Sequence, residues 1–298
     1  MKGNQNLKKT VSFIIVLSLL LCLGIPVLAE GQGSRACTVI GADLTTDQIT
    51  TVYQRFGFPR GTVPELLLTN AEERFYLEGF IDSAQIGTYS ISCVFVQLMA
   101  PGTGIQIGTS NVTWCSNEMY VNALATAGVN DALIIVTAPF AVSGTAALAG
   151  VYKAYETMLG QALSAEAKQA GTQELTVTGE LAEEFGAVSS SAIVQEIKSI
   201  LDETRAMDDY QLEQRIRQIA QSYNVRLTDT QVGQLISLCR TLASLDVGML
   251  KDGVEGVQDT LGKIGETKDQ VVGFFEKARA FLDKLEKLID KLSALLGE

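Results

Sequence analysis

The sequence predicts an α+β protein, in which a mixed sheet with helices is followed by an all-α helical region ending in a long amphipathic helix. Residues 88–98 alternate apolar and polar side chains, and residues 132–138 form a short apolar run, as half-buried and fully buried strands do. After residue 187, apolar residues recur at helical spacing in successive segments. We therefore predict an α+β domain over 37–187, a helical domain over 188–263 and a heptad helix over 264–298.

Composition narrows the function classes before any motif is considered. Of the 298 residues, 47% are hydrophobic and only 5 are proline, which excludes a mainly disordered or collagen-like chain. The chain has no histidine, so Ser-His-Asp triads, Cys-His dyads and histidine-ligated zinc are excluded. A formal net charge of −11 argues against nucleic acid as a partner, because phosphate binding depends on clustered Lys and Arg.

The amino terminus has the three-part order of a secretory signal. Lysines precede an uncharged run over residues 10–29, and residues 27–29 offer the small or aliphatic side chains that a signal peptidase recognises. We expect cleavage before Glu30, which moves the formal net charge from −11 to −14 because three lysines and no acids are removed. An uncleaved membrane anchor is the alternative, since the run approaches spanning length. The predicted location is extracellular, or associated with the cell wall or membrane.

Cleavage also removes Cys22 and leaves four cysteines, which in an oxidising compartment indicate two disulfides. We predict a bond between Cys93, in the alternating strand, and Cys115, which lies 22 residues further on before a helix start. The bond between Cys37 and Cys239 then follows by elimination. Buried free thiols are the alternative, and the absence of a CxxC spacing argues against a redox centre.

Local signals predict the elements of the first domain in order. Thr45 and Gln48 form a capping box that starts a helix, and Gly57 ends it near Phe56. Turn residues and changes of apolar period predict the others: a strand over 63–68, a helix over 70–79, strands over 88–98 and 105–112, a helix capped by Ser116 and running to 127, a strand over 132–138, a helix over 143–155, and a last strand over 172–178.

Two stretches in this domain superficially resemble a dinucleotide-binding loop and a membrane span, but their sequences do not fit either. Gly102, Gly104 and Gly108 lack the spacing of a dinucleotide-binding loop and precede a strand, so we predict a hairpin turn there. Residues 132–152 run for 21 residues without a charge, but Pro139 and a Ser-Gly-Thr sequence interrupt them. A strand, a turn and a packed helix are therefore predicted instead of a membrane span.

The second region is predicted to be helical over 192–205, 208–223 and 228–245, with a last helix from Val271 onward. In that last helix, eight apolar residues from Val271 to Leu295 are spaced three and four apart alternately, which is a heptad stripe. Packing on its own domain is one use of this face. Self-association as a coiled coil and contact with a membrane surface through residues 271–296 are the alternatives.

Without histidine, extracellular catalysis would depend on carboxylates, first of all on a pair that hydrolyses glycosides. Glu118 and Asp131 are the only charged residues between Ser83 and Tyr152. Glu118 lies in the predicted first turn of a helix, where the dipole favours an anion, and Asp131 follows an asparagine in a predicted turn. We therefore interpret both as structural.

No other cluster predicts chemistry. Glu72, Glu73, Glu78 and Asp82 form an acidic helical patch that we interpret as a solvated face, and they lack the pattern of a calcium loop. Trp114 could stack on a sugar, although a single tryptophan in a chain of this size is typical of a core. The sequence thus predicts no catalytic residue, no cofactor and no metal ligand.

Several phrases together resemble the YpuA-like secreted proteins of Gram-positive bacteria, which are domain-of-unknown-function family 1002. The opening phrase is Gly41–Thr45 with Gln48, and the later ones are Asn111–Cys115, the stretch from Ala138 to Leu148, and Val177–Ala182. The resemblance covers roughly residues 37–250 and implies an exported bacterial envelope protein. It brings no catalytic residues, since the family has no assigned activity.

These observations predict a non-catalytic, exported binding or interaction module of the cell envelope, with an unidentified envelope or extracellular ligand. The signal, the absence of histidine, the excess of acids and the lack of a catalytic motif all favour it. The alternatives are a carboxylate-dependent hydrolase of wall glycan, with Glu118 or Asp131 involved, and a peripheral membrane protein attached through its last helix.

Overall fold

The computed structural model of the chain describes residues 35–245. In this part of the chain, five strands form one mixed sheet in the order β2-β1-β3-β5-β4. The strands are β1 (Ala36–Gly41), β2 (Glu65–Leu68), β3 (Cys93–Leu98), β4 (Ile105–Val112) and β5 (Ala132–Val142). The predicted signal and the predicted heptad helix lie outside the described residues.

Four of the five strands point the same way. β1 pairs in parallel with β2, and β4 pairs in parallel with β5, whereas β3 runs antiparallel between β1 and β5. The carboxyl ends of β1, β2, β4 and β5 therefore meet at one edge of the sheet. In such sheets this edge is where ligands usually bind.

Ten helices surround and follow the sheet within residues 35–245. They are α1 (Thr46–Phe56), α2 (Asn70–Leu77), α3 (Ser83–Ile86), α4 (Asn117–Thr126), α5 (Thr145–Leu159), α6 (Ala165–Phe185), α7 (Ala187–Ser199), α8 (Leu201–Thr204), α9 (Asp209–Ser222) and α10 (Asp229–Ala243). The mixed sheet with helices and the helical region after it confirm the predicted α+β class.

The alternation of side chains along β3 divides the sheet's surroundings into two cores. Val94 and Val96 face the larger core, to which α4 and α5 contribute, while Cys93 and Phe95 face a smaller one. In the smaller core, Phe56 of α1 packs near Phe95 with ring centroids 6.5 Å apart. Helices thus cover both faces of the sheet, which explains why its strands are apolar on both sides.

A third core lies within the helical region, where α7, α9 and α10 bring buried leucine, isoleucine and valine side chains together. α6 packs against α4 and also against α7 and α10, and α7 contacts α4 directly, so both α6 and α7 connect the sheet region with the helices that follow. Among residues 35–245, no helix combines the length and apolar character that crossing a bilayer requires. Residues 132–152 form β5 and most of α5, as predicted.

The predicted strand over 172–178 is wrong, because these residues lie in the middle of α6. Threonine and valine favour strands in isolation. Here the Thr176 hydroxyl donates to the Thr172 carbonyl at 2.9 Å and the Thr178 hydroxyl donates to the Glu174 carbonyl at 2.6 Å, so both buried hydroxyls are satisfied within the helix. Packing of the helix on its neighbours overrides the local preference.

Several other helix and strand boundaries differ from the predicted ones. β1 has no counterpart among the predicted strands. The helix predicted over 70–79 is α2, which ends earlier, at Leu77, and is capped by Thr69, whose hydroxyl forms a capping box with Glu72. β5 continues through Pro139 to Val142, because its pairing with β3 ends at Thr137, before the proline. The predicted caps at Thr45 and Ser116 are confirmed, as are the helices predicted over 208–223 and 228–245.

Candidate binding clefts

Two glycines allow chain segments to meet closely at the carboxyl edge of the sheet. At Gly41, the last residue of β1, a Cβ atom would lie 2.2 Å from the Ser90 carbonyl oxygen. Gly144, which caps α5, has a φ of 101°, and a Cβ there would lie 2.5 Å from the Tyr120 hydroxyl. That hydroxyl donates to the Gly144 carbonyl at 2.6 Å. Larger side chains at either position would separate the segments that form this edge.

The first of two clefts at this edge has a volume of about 520 Å³. Its walls come from α2, from the segment 84–92 and from the end of β5, and its lining includes Glu73, Tyr89, Ser143 and Thr145. The Ser143 hydroxyl donates to the Gln85 carbonyl at 2.8 Å, which ties two of these walls together. Tyr89 is 68% exposed and stands at the rim.

Glu73 is the only carboxylate among the described residues that line this first cleft, and it is only 1% exposed. Its Oε1 accepts a hydrogen bond from the Thr145 hydroxyl at 2.8 Å, and its Oε2 accepts one from Asn70 Nδ2 at 3.4 Å. Burial raises the pKa of Glu73 to about 7, against the smaller opposing effects of Thr145, Asn70 and the Arg74 charge. This carboxyl can therefore hold or release a proton near neutral pH.

Arg74 follows Glu73 in sequence but serves a different purpose. Its guanidinium donates to Asn70 Oδ1 at 3.2 Å, to Glu78 Oε1 at 3.4 Å and to the Gly87 carbonyl at 2.6 Å. The last of these bonds holds the segment that forms one wall of the first cleft. Arg74 thus shapes the cleft without lining it.

The second cleft has a volume of about 470 Å³ and is lined by Trp114, Glu118 and Glu183, among others. The Trp114 indole donates to Glu183 Oε1 at 3.0 Å, and its ring packs so closely on α6 that a Cβ at Gly179 would lie 2.5 Å from it. Trp114 is therefore held in place as part of the cleft wall. Thr113 lines both clefts, so they adjoin along the carboxyl ends of β4 and β5.

The two carboxylates that stand out in the sequence are not brought together. Glu118 lies in the first turn of α4, whereas Asp131 lies beyond the other end of that helix, which at ten residues is about 15 Å long. Asp131 Oδ1 accepts the Gly104 amide hydrogen at 2.9 Å and orders the turn between β3 and β4. The structural interpretation of Asp131 agrees with this contact. Glu118, in contrast, lines the second cleft.

The sequence predicts that the acidic patch on and after α2 is a solvated face, but one of its members is buried. Glu72 is partly exposed and pairs with Lys153 Nζ at 2.5 Å, but Glu73 points inward and is buried. Sequence reasoning missed Glu73 because adjacent acids on a helix give no sign of which one faces the core. The small residues at 143–145, which leave room for a buried carboxyl, are the signal that could have found it.

The four described cysteines are free and buried. Cys93 lies in the core beneath α1, whereas Cys115 lies in the core on the other side of the sheet. Cys37 likewise lies in the sheet's larger core and Cys239 in that of the helical region. The structure therefore keeps the members of both predicted pairs in separate cores. Among the described residues, no group of three or more Cys, Asp or Glu is arranged to hold a metal ion.

Together, the fold and the clefts define an α+β protein with two adjoining acidic clefts at the carboxyl edge of a mixed sheet. Comparison with known proteins then identifies the family. The family described as "Protein of unknown function (DUF1002)" matches residues 40–260, and the chain belongs to it. The chain is 36% identical over 257 residues to "Uncharacterized protein YpuA" of Bacillus subtilis (strain 168), covering 85% of this chain and 88% of that protein. No solved structure matches the chain.

Proposed function

We propose that this protein is exported and acts in the cell envelope as a non-catalytic binding module that takes an extended wall glycan across the two clefts. The observation that carries the proposal is their adjacency: both lie at the carboxyl edge of the sheet, and Thr113 lines both. Volumes of about 520 and about 470 Å³ are in the range of sites for small ligands or single polymer units.

The lining chemistry supports a polar polymer as the ligand. Hydroxyl and carboxyl groups of Ser143, Thr145 and Glu73 provide hydrogen-bonding partners in the first cleft. Tyr89 at its rim and Trp114 in the second cleft add aromatic surfaces with a polar group at one end. Rings beside hydrogen-bonding groups suit a sugar, which has apolar faces and hydroxyl edges.

Co-sedimentation with purified cell-wall sacculi tests the binding role. Replacing the exposed Thr113 by tryptophan fills the junction of the clefts, so we expect Thr113→Trp to weaken co-sedimentation about tenfold or more. Thr50→Trp, at an exposed position of α1 on the other face of the sheet, is the matched control and should bind like the unmodified protein. Equal binding by both variants, or release of soluble sugar from the sacculi, would overturn the proposal.

Export is tested by the mass of the protein recovered from a producing culture. A chain beginning at Glu30, found in the medium or the wall fraction, is the expected result. A full-length chain in the membrane fraction would instead make residues 10–29 an anchor. Spectra taken with and without reductant also distinguish free thiols from disulfides, because each disulfide lowers the mass by about two hydrogens.

A further inference from the structure

We infer that the clefts recognise a positively charged amine on the ligand and that Glu73 is the carboxylate that pairs with it. This inference rests on the proposed function and deepens it, since it names the chemical class of the ligand. Three observations carry it: a buried carboxyl with no cationic partner, the negative charge of both clefts, and the contacts that hold the neighbouring arginine away from that carboxyl.

The first observation is that Glu73 has only neutral hydrogen-bond partners in the described part of the chain. Thr145 and Asn70 each donate one hydrogen bond to it, which leaves acceptor capacity on both carboxylate oxygens. Buried charges in proteins are normally paired with an opposite charge. Glu73 lines a cleft of about 520 Å³, so a ligand can supply the missing cation.

The second observation is the sign of the charge in both clefts. Among the described residues that line them, the charged ones are Glu73, Glu118 and Glu183, and none is Lys or Arg. A cleft that carries one sign of charge concentrates ions of the opposite sign. An anionic polymer such as a phosphate-linked chain would find no cationic partner there, whereas an amine-bearing polymer would find a carboxylate in each cleft.

The third observation concerns the charged groups around Glu73. Arg74 is engaged by Asn70, Glu78 and the Gly87 carbonyl, so it acts on Glu73 only through space. Asp43 acts in the opposite sense, and its Oδ2 accepts the Ser90 amide hydrogen at 2.7 Å. Neither group neutralises Glu73 by direct contact. A ligand ammonium that reaches Thr145 and Glu73 would form a charge-assisted hydrogen bond in a site shielded from water.

Amine groups in a cell wall come from sugar rings without N-acetylation or from amino-acid substituents. Two matched pairs of probes distinguish these sources: the glucosamine tetramer against its N-acetylated form, and alanine tripeptide amide against its N-acetylated form. Acetylation removes the charge and keeps the backbone of each probe. Binding is measured calorimetrically with the mature protein at about pH 7, where Glu73 is about half ionised and a large fraction of each amine is protonated.

We expect at least one free-amine probe to bind about tenfold or more tightly than its acetylated form. Glu73→Gln, which keeps the shape and the acceptor for Thr145, should weaken that probe about 30-fold or more, and Glu203→Gln at an exposed site should not. Equal binding of free and acetylated probes, no binding of either amine, or an unaffected Glu73→Gln variant would overturn the inference. If sacculi still co-sediment in those cases, the proposed binding role survives and only the amine assignment fails.

Discussion

A carboxyl group buried without a cation makes the stability of the folded state depend on pH. Burial raises the pKa of Glu73 from the ordinary 4.5 to about 7. Between these two values the folded chain holds a proton that the unfolded chain releases. The free energy of unfolding therefore falls as pH rises through this window, by about 2–3 kcal/mol if Glu73 acts alone. Ionisation of Glu73 near neutral pH thus destabilises the folded state, because no cationic side chain among the described residues contacts the carboxylate.

Glu73→Gln should remove this dependence. We compare the free energies of unfolding of the variant and the unmodified protein at pH 4.5 and at pH 8. Between these values the difference should shift by about 2–3 kcal/mol in favour of the variant, because glutamine does not ionise. Denaturant unfolding at both pH values measures it. A pH dependence that is unchanged in Glu73→Gln would show that it does not come from Glu73, and Glu203→Gln controls for an exposed carboxyl.

Helix α6 depends on glycines that let it approach its neighbours. A Cβ at Gly171 would lie 2.4 Å from the Ala123 carbonyl oxygen of α4, and one at Gly179 would lie 2.5 Å from the Trp114 ring. Glycine in a helix interior costs stability by itself. Here that cost is offset by contact between α6 and α4, which places Trp114 and Glu183 in the second cleft.

Gly171→Ala should destabilise the protein although alanine is the better helix former. The obstacle is a backbone oxygen that cannot move without shifting α4, so we expect a loss of about 1–3 kcal/mol. At Gly233 of α10 a Cβ meets nothing within 4 Å, and Gly233→Ala should gain about 0.5–1 kcal/mol. If the two substitutions changed the free energy of unfolding in the same direction, the close approach of α6 to α4 would not explain the effect at Gly171.

At the scale of the whole molecule, a buried ion pair joins the sheet region to the helical region. Lys198 of α7 donates to Glu174 Oε1 of α6 at 3.0 Å and to the Thr126 hydroxyl of α4 at 2.9 Å. The Thr126 hydroxyl in turn donates to Glu174 Oε2. Burial raises the pKa of Glu174, and the Lys198 charge opposes that rise. The three helices therefore share one buried polar network.

Removing one partner of this pair should affect the whole molecule. Lys198→Met leaves Glu174 buried without a counter-charge, so we expect a loss of about 3–5 kcal/mol in the free energy of unfolding. Lys153→Met breaks the partly exposed pair with Glu72 and should cost about 1 kcal/mol or less. Similar losses in both variants, measured by denaturant unfolding, would mean that the Lys198 network does not hold the regions together.

Local signals account for much of the fold. Thr45 and Ser116 cap helices whose beginnings the capping chemistry alone predicts, because an N-cap satisfies amide groups within a few residues. The strand predicted over 172–178 failed for the opposite reason, since the helical state of these residues depends on packing against α4, α7 and α10. Of the candidate site, the sequence singles out Trp114 and Glu118, whereas it predicts a solvated face for Glu73.

The sequence by itself determined the α+β class, the order of most elements, the excess of acids and the exclusion of histidine chemistry. These properties depend on composition, on apolar period and on interactions between residues close in the chain. Only the tertiary structure decided which acids share a cleft and that Glu73 is buried. It also decided that Lys198 meets Glu174 across 24 residues. Such contacts join residues distant in sequence. No local signal encodes which side of a helix will face a distant partner.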